Sequence, residues 1–112
     1  MELEILDQSP TLTRLALKGR LDTAGVDQIE TRLNAALARD GDGVVDLSEV
    51  TFLASLGIRL LITAAKMLTR RGHRLVLVAP RPLVDQALQH SSLYDIIPVA
   101  PDFNGALALL GS

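Results

Sequence analysis

Apolar and polar residues alternate along the first part of the chain. Leu3 and Ile5, with Asp7 in step, begin a short strand, and Ser9-Pro10 supplies a turn. Thr11 to Leu21 alternates again, with Leu15, Leu17 and Leu21 on one side, so the pattern predicts a β-hairpin. The period then changes. Asp22-Thr23 offers a helix N-cap, and Val26, Ile29, Leu33 and Leu37 recur at helical spacing. Asp27 and Glu30 stand early in that helix, where acids complement its dipole. Gly41-Asp42-Gly43 breaks the chain, Val44 to Leu47 is a short strand, and a polar turn follows. The longest helix runs from about Leu56 to Arg70 and exits through Arg71-Gly72. Arg74 to Ala79 reads as a buried strand. Pro80-Arg81-Pro82 ends it and opens a helix with Leu83, Ala87 and Leu88 inward. Ile96 to Val99 is a last short strand, and Asp102 caps a final helix carrying Phe103, Leu107 and Leu110.

The predicted order, β-β-α-β-α-β-α-β-α, calls for an α/β domain with a mostly parallel sheet and right-handed crossovers, made mixed by the opening hairpin. The 112 residues suit a single domain over 1–112. On the long helix, Arg59, Thr63, Lys66 and Arg70 form a narrow polar stripe opposite Leu61, Ala64, Ala65 and Leu68. Leu60 and Met67 fall on one flank, Ile58 and Ile62 on the other. This apolar arc is wider than packing on one sheet requires. Either neighbouring helices cover the excess, or Leu60 and Met67 stay partly exposed as a contact surface.

Composition narrows the function. Hydrophobic residues make up 48% of the chain, which rules against disorder. Phe52, Tyr94 and Phe103 are too few to build stacking platforms for single-stranded nucleic acid. Net charge is −2, and the one basic cluster, Arg70-Arg71-Gly72-His73-Arg74, falls at a helix end, where it complements the dipole; no nucleic-acid partner is expected. The absence of cysteine excludes disulfides and thiolate metal sites, and His73 and His90 stand too isolated for metal-ligand spacing, so neither metal nor cofactor is expected. MELEILDQ lacks the basic and apolar regions of a signal peptide, and no segment approaches the ~20 apolar residues of a membrane span. The expectation is a cytoplasmic protein, monomeric in the simplest case.

Candidate chemistry centres on Ser55, at the start of the long helix. Three readings are open. Ser55 can be an N-cap, its hydroxyl accepting from the amides of residues 56–58. It can be a nucleophile, since Ser55-Leu56-Gly57 is half of a G-x-S-x-G elbow at a strand-to-helix turn. Leu53 stands where that motif needs its first glycine, however, and nothing in the spacing brings His73 or His90 to it as a base. It can also be a switch, because a phosphoserine brings a charge of roughly −1.5 to −2 that a helix N-terminus tolerates. Arg59, one turn along, could reach that phosphate. No phosphate loop and no G-x-G-x-x-G is present, and the candidate carboxylates Asp22, Asp46 and Glu49 sit at predicted turns, where such residues are ordinary.

Four stretches together give the chain a resemblance. They are Gly19-Arg20-Leu21-Asp22-Thr23, Asp46 to Phe52, Ser55-Leu56-Gly57-Ile58-Arg59-Leu60-Leu61, and Leu75 to Leu83. Over nearly its whole length the chain resembles the STAS domain family, the sulphate transporter and anti-sigma factor antagonist domains. The resemblance implies a mixed, mostly parallel sheet with an N-terminal hairpin and about four helices packed mainly on one face. It implies a non-enzymatic, single-domain anti-sigma factor antagonist. In such proteins a serine at the start of the helix after the third strand is phosphorylated by a partner kinase, often the anti-sigma factor itself, and a phosphatase resets the switch. Ser55 matches that serine, and Asp22 matches an acid beside it. The partner surface is then expected around Asp22, Thr23, Ala54, Leu56, Gly57, Arg59, Leu60 and Met67. The family's usual Asp-Ser-Ser/Thr-Gly is here Ala54-Ser55-Leu56-Gly57, which removes one negative charge and one hydroxyl. The alternative implied is an unswitched STAS adaptor, such as an accessory subunit of a transport ATPase.

Overall fold

A computed structural model describes residues 1–111. Strands β1 (Glu2–Gln8) and β2 (Leu12–Leu21) form the hairpin. Helix α1 (Thr23–Leu37), strand β3 (Asp42–Leu53), helix α2 (Ser55–Arg70) and strand β4 (Leu75–Val78) follow. Helix α3 (Pro82–His90), a 3-10 turn (Leu93–Asp95), strand β5 (Val99–Ala100) and helix α4 (Phe103–Leu109) complete the order. The sheet is laid down in sequence order, β1-β2-β3-β4-β5, with only the β1–β2 pair antiparallel. This is the expected mixed α/β sheet.

Alternation along the strands sorts the core into two layers. Leu15, Leu17, Leu47 and Leu77 face α1, α2 and α3, whose Ile29, Leu33, Leu61, Leu68 and Leu88 complete one continuous apolar cluster. Val44, Val76 and Val78 face the other way, onto Ala106 of α4. Among the described residues, helices α1 to α3 therefore share a face and α4 covers the other. The wide apolar arc of α2 is accounted for by this layering: Leu60 and Leu61 are buried, while Ile58, Ile62 and Met67 pack as partly buried residues against the same cluster. Each fully buried leucine contributes about 2 kcal/mol of transfer free energy.

Several expectations change. The strand expected over Val44–Leu47 runs on to Leu53, because the polar segment is not a turn. Ala16 and Lys18 pair with Asp46 and Glu49, and Gly19 and Arg20 pair with Val50 and Phe52, so β3 absorbs an extra residue twice. These bulges leave Ser48, Glu49, Thr51 and Phe52 exposed while Val50 and Leu53 stay buried. A bulge at Leu6 likewise interrupts β1, and Ile5 is exposed rather than buried. Leu83 points outward, 73% exposed, because Val84 and Leu88, four apart, take the inward face. The segment expected as a strand from Ile96 forms the strand only at Val99–Ala100, after the 3-10 turn and a buried Ile97. Asp27 and Glu30 lie beyond the first turn of α1, which holds no acid. No helix among the described residues is long and apolar enough to cross a membrane.

Candidate functional site

Parallel strands bring their C-terminal ends to one edge of the sheet. There β2 passes into α1 through Asp22, and β3 into α2 through Ala54. The Ala54 amide donates to the Leu21 carbonyl at 3.1 Å, which locks the two turns side by side. Two glycines make that packing possible. Gly25 and Gly57 each occupy the third position of their helix. A Cβ on Gly25 would stand 2.1 Å from the Arg20 carbonyl oxygen, and one on Gly57 would stand 2.6 Å from that of Leu21. Both helix starts rest on the last backbone groups of β2.

The two starts differ in chemistry. Asp22 caps α1: its Oδ1 accepts from the Gly25 amide at 2.9 Å and its Oδ2 from Arg20 Nε at 3.3 Å. The Gly25 bond first, with Arg20 adding, holds the Asp22 carboxyl below its ordinary value, while desolvation works against the shift. The Arg20 guanidinium also lies over the Phe52 ring, 4.3 Å from its centroid. Helix α2 has no such cap. Ala54 is its N-cap residue and has no side-chain acceptor to offer. Ser55 is the first helical residue, not the cap, and its exposed hydroxyl makes no hydrogen bond among the described residues. The first intrahelical bond is Ile58 N–H to the Ala54 carbonyl, so the amides of Ser55, Leu56 and Gly57 are left for solvent or a ligand.

The folded-state value of Asp22 fixes a pH dependence. Because that value is depressed, the cap's contribution is complete above the ordinary value of 3.8 and is lost as pH falls through the depressed one. Asp22→Asn keeps a good N-cap without the titrating group. Urea titrations at several pH values are expected to show wild type declining faster than the variant below pH 3.8, with a constant offset above it. Parallel curves throughout would remove Asp22 from the acid limb.

Beside the turns a cleft of about 340 Å³ runs between α1 and α2. Val26, Asp27 and Glu30 form its α1 wall, and Leu56, Arg59 and Leu60 its α2 wall. Leu56 is 39% exposed, whereas Leu60 is 3% exposed and forms the floor. The structure thus brings together Asp22, Thr23, Ala54, Ser55, Leu56 and Arg59. It does not bring Met67, which lies twelve residues along α2, about 18 Å from Ser55, half-buried against the core. Gly57 and Leu60 serve packing, not the outer surface. Asp27, Glu30 and the Arg20–Phe52 pair are additions to the expected set. In the sequence the first two read only as acids early in α1, and the bulges of β3 hid the third.

Other candidates disperse. His73 precedes β4, at the far end of the sheet from Ser55, where its Nε2 accepts from the Gly41 amide at 3.2 Å. His90 ends α3, whose first turn is the part near the site edge. Neither can serve Ser55 as a base. Asp46 accepts from the Ser48 amide within a bulge, and Glu49 shares Lys18 with Glu4, at 3.5 and 3.3 Å. The Glu4 hydrogen bond and charge, with the Glu49 charge, raise the Lys18 pKa. Of the basic cluster, Arg70 stands in the last turn of α2, as expected, whereas Arg71 donates to the Ala38 carbonyl after α1 and Arg74 to the Leu109 carbonyl of α4, the ends of two other helices.

Comparison with known proteins agrees with this layout. BtrV of Bordetella bronchiseptica, named as a candidate anti-sigma factor antagonist, is 29% identical over 104 residues, 92% of this chain and 90% of its own. A solved anti-sigma-factor antagonist (STAS) domain protein from Planctomyces limnophilus superposes with a TM-score of 0.85 at 20% identity, covering 98% of each chain. The anti-sigma factor antagonist SpoIIAA in its unphosphorylated form gives 0.80 at 20% identity, over 99% of this chain and 98% of its own. The phosphorylated form of SpoIIAA, from Bacillus, gives 0.71 at 19% identity, over 96% and 99%. A profile described as the STAS domain matches residues 5–106, and the chain belongs to the STAS domain family.

Proposed function

We propose that this protein is an anti-sigma factor antagonist that works by partner switching. Unphosphorylated, it binds an anti-sigma factor that is also a serine kinase, through the edge formed by Asp22, Ser55, Leu56 and Arg59. Phosphorylation of Ser55 ends that binding, and a serine phosphatase restores it. The protein itself catalyses nothing in this cycle. The observation that carries the reading is the state of Ser55: an exposed, unbonded hydroxyl at the first position of an uncapped helix. A serine doing a cap's work would be tied to its own backbone; this one is open to a kinase. The likeness to BtrV, whose name carries the same function, supports it.

The physics of the switch is electrostatic. A phosphate at Ser55 adds nearly two negative charges where the partner would approach. The fold can hold it, because the free amides and the positive end of α2 lie beneath it. Partner loss then needs no unfolding.

Phosphosite mass spectrometry on the protein isolated from its own cells, growing and stressed, tests the reading. A phosphate on the Phe52–Arg59 segment at Ser55, with occupancy changing between conditions, is the expected result. Full coverage of that segment without phosphate in any condition would overturn it in favour of an unswitched adaptor.

A further inference from the structure

The turn between α1 and β3 is tied to the turn between α2 and β4 by a histidine ring. Gly41, in the first turn, is buried, and its amide donates to His73 Nε2 at 3.2 Å. A buried amide needs a partner, and this one has no room to swing toward another. Gly41 has a φ of +111°, and a Cβ there would stand 2.4 Å from the Thr11 carbonyl carbon, so the turn is pressed against the β1–β2 hairpin turn. His73 is anchored as well: its own amide donates to the Leu68 carbonyl at 3.0 Å as the chain leaves α2. The side chain is 28% exposed, open enough for a proton to reach it. Because Nε2 accepts, the ring is neutral and carries its hydrogen on Nδ1. Nδ1 lies 3.9 Å from Asp42 Oδ1, which also accepts from the Arg74 amide at 2.8 Å. The other charged groups around the ring are Asp40 in the turn, Arg39 before it, and Arg71 and Arg74 on the histidine's own side. Those three arginines donate to the Gln8 side chain and to the Ala38 and Leu109 carbonyls. The β1–β2 turn, Ser9 to Thr11, and the end of α4, Leu109 to Gly111, bring no charge. Among the described residues, Asp42 is thus the charged group within ion-pair reach of the ring.

We propose that His73 is a proton-operated latch on the α1–β3 turn. The neutral ring holds the Gly41 amide. An imidazolium has a donor on both nitrogens, so Nε2–H would point at the Gly41 N–H and that bond is lost. Asp42 holds the charged ring through Nδ1, so the ring stays and the turn lets go. The release is local. The Asp42 amide still donates to the Thr11 carbonyl at 2.9 Å and the Gly43 amide to the Arg74 carbonyl at 2.9 Å, and neither bond involves the imidazole. Protonation therefore loosens residues 38–41 and leaves β3 in the sheet. The helix end that is freed belongs to α1, which begins at Asp22 and forms one wall of the cleft. The latch lies at the far end of the sheet from Ser55 and works without phosphate or partner.

The test is heteronuclear NMR of the full chain, titrated from about pH 8 to about pH 5, the range in which histidines change charge. At the alkaline end, long-range correlations within the ring should show a bare Nε2 and a protonated Nδ1 on His73. As His73 titrates, the Gly41 amide shift should follow the same curve, and its hydrogen-exchange protection should fall at least about tenfold. The protection of the Asp42 and Gly43 amides should change by no more than about twofold. His90, exposed at the end of α3, supplies a second histidine curve that Gly41 should not follow. These readings need no variant. In His73→Ala, Gly41 should be unprotected at both ends of the range. Four outcomes would overturn the proposal: a hydrogen on Nε2 at the alkaline end; Gly41 protection unchanged while His73 titrates; protection lost at Gly41, Asp42 and Gly43 together, which would mark general loosening in acid; or a pH dependence of Gly41 that survives in His73→Ala, which would name another group as its source.

Discussion

Gly25→Ala is expected to lower the unfolding free energy by about 3 kcal/mol, and Gly57→Ala by about 2 kcal/mol, in urea titrations of the purified protein. Alanine favours a helix over glycine by about 1 kcal/mol, so sequence propensity alone predicts the opposite sign. The clash decides it. The new methyl at position 25 would sit 2.1 Å from the Arg20 oxygen, and that at position 57 would sit 2.6 Å from the Leu21 oxygen and 2.7 Å from the Leu21 Cγ. Both oxygens belong to the end of β2, where Arg20 and Leu21 pair with Phe52 and Leu53 of β3, which limits how far they can withdraw. The order of the two effects follows the distances. Because both substitutions push on neighbouring residues of one strand end, the double variant should lose less than the sum. Ala24→Ser, at the exposed neighbour of Gly25, should change stability by no more than about 0.5 kcal/mol. Wild-type stability in Gly57→Ala would mean that α2 does not start against β2, and the site geometry would fall with it.

These glycines also show how far the sequence can be read. Strands with strict alternation are legible: Leu15, Leu17 and Leu21 fall on one face and all are fully buried. So are helices with local punctuation, such as α1 with Asp22 at its cap and α4 with Asp102, which accepts from the Gly105 amide at 2.8 Å. Features that depend on a distant segment are not legible. A bulge is defined against its partner strand, so the continuation of β3 through Ser48-Glu49 looks like a turn in the sequence. Leu83 looks inward because it is apolar, but Val84 and Leu88 take that face of α3. At the site, position and residue type lead to Ser55 and Arg59, while Asp22 and Leu56 join them only through the family resemblance. The α1 wall of the cleft, Asp27 and Glu30, emerges only when two helices far apart in sequence are laid side by side. Gly57 reads as surface, whereas its lack of a side chain is what lets the helix meet the strand.

Phosphoserine at position 55, installed by codon reassignment so that no kinase is needed, is expected to stabilise the protein by about 1 kcal/mol. The phosphate gains the amides that Ala54 leaves without a side-chain cap, and Arg59 stands four residues on, the favourable order for an anion–cation pair on a helix. Ala54→Asp probes the same amides from the other side. In the unphosphorylated protein the new carboxylate should cap α2 and add about 1 kcal/mol. In the phosphorylated protein it competes for those amides and repels the phosphate, so the two gains should fail to add, a coupling read directly from a four-variant urea cycle. Partner binding should respond in the opposite sense to stability. A phosphate at the centre of the contact edge is expected to cut affinity for the cognate anti-sigma factor by about 100-fold, or nearly 3 kcal/mol, with Ser55→Asp reproducing the direction more weakly and Ser55→Ala binding as wild type. A more stable protein that binds less well would locate the switch in surface charge. If phosphoserine instead destabilises the wild-type chain and the Ala54→Asp variant equally, the free amides are not its partners, and the switch must act by loosening the start of α2.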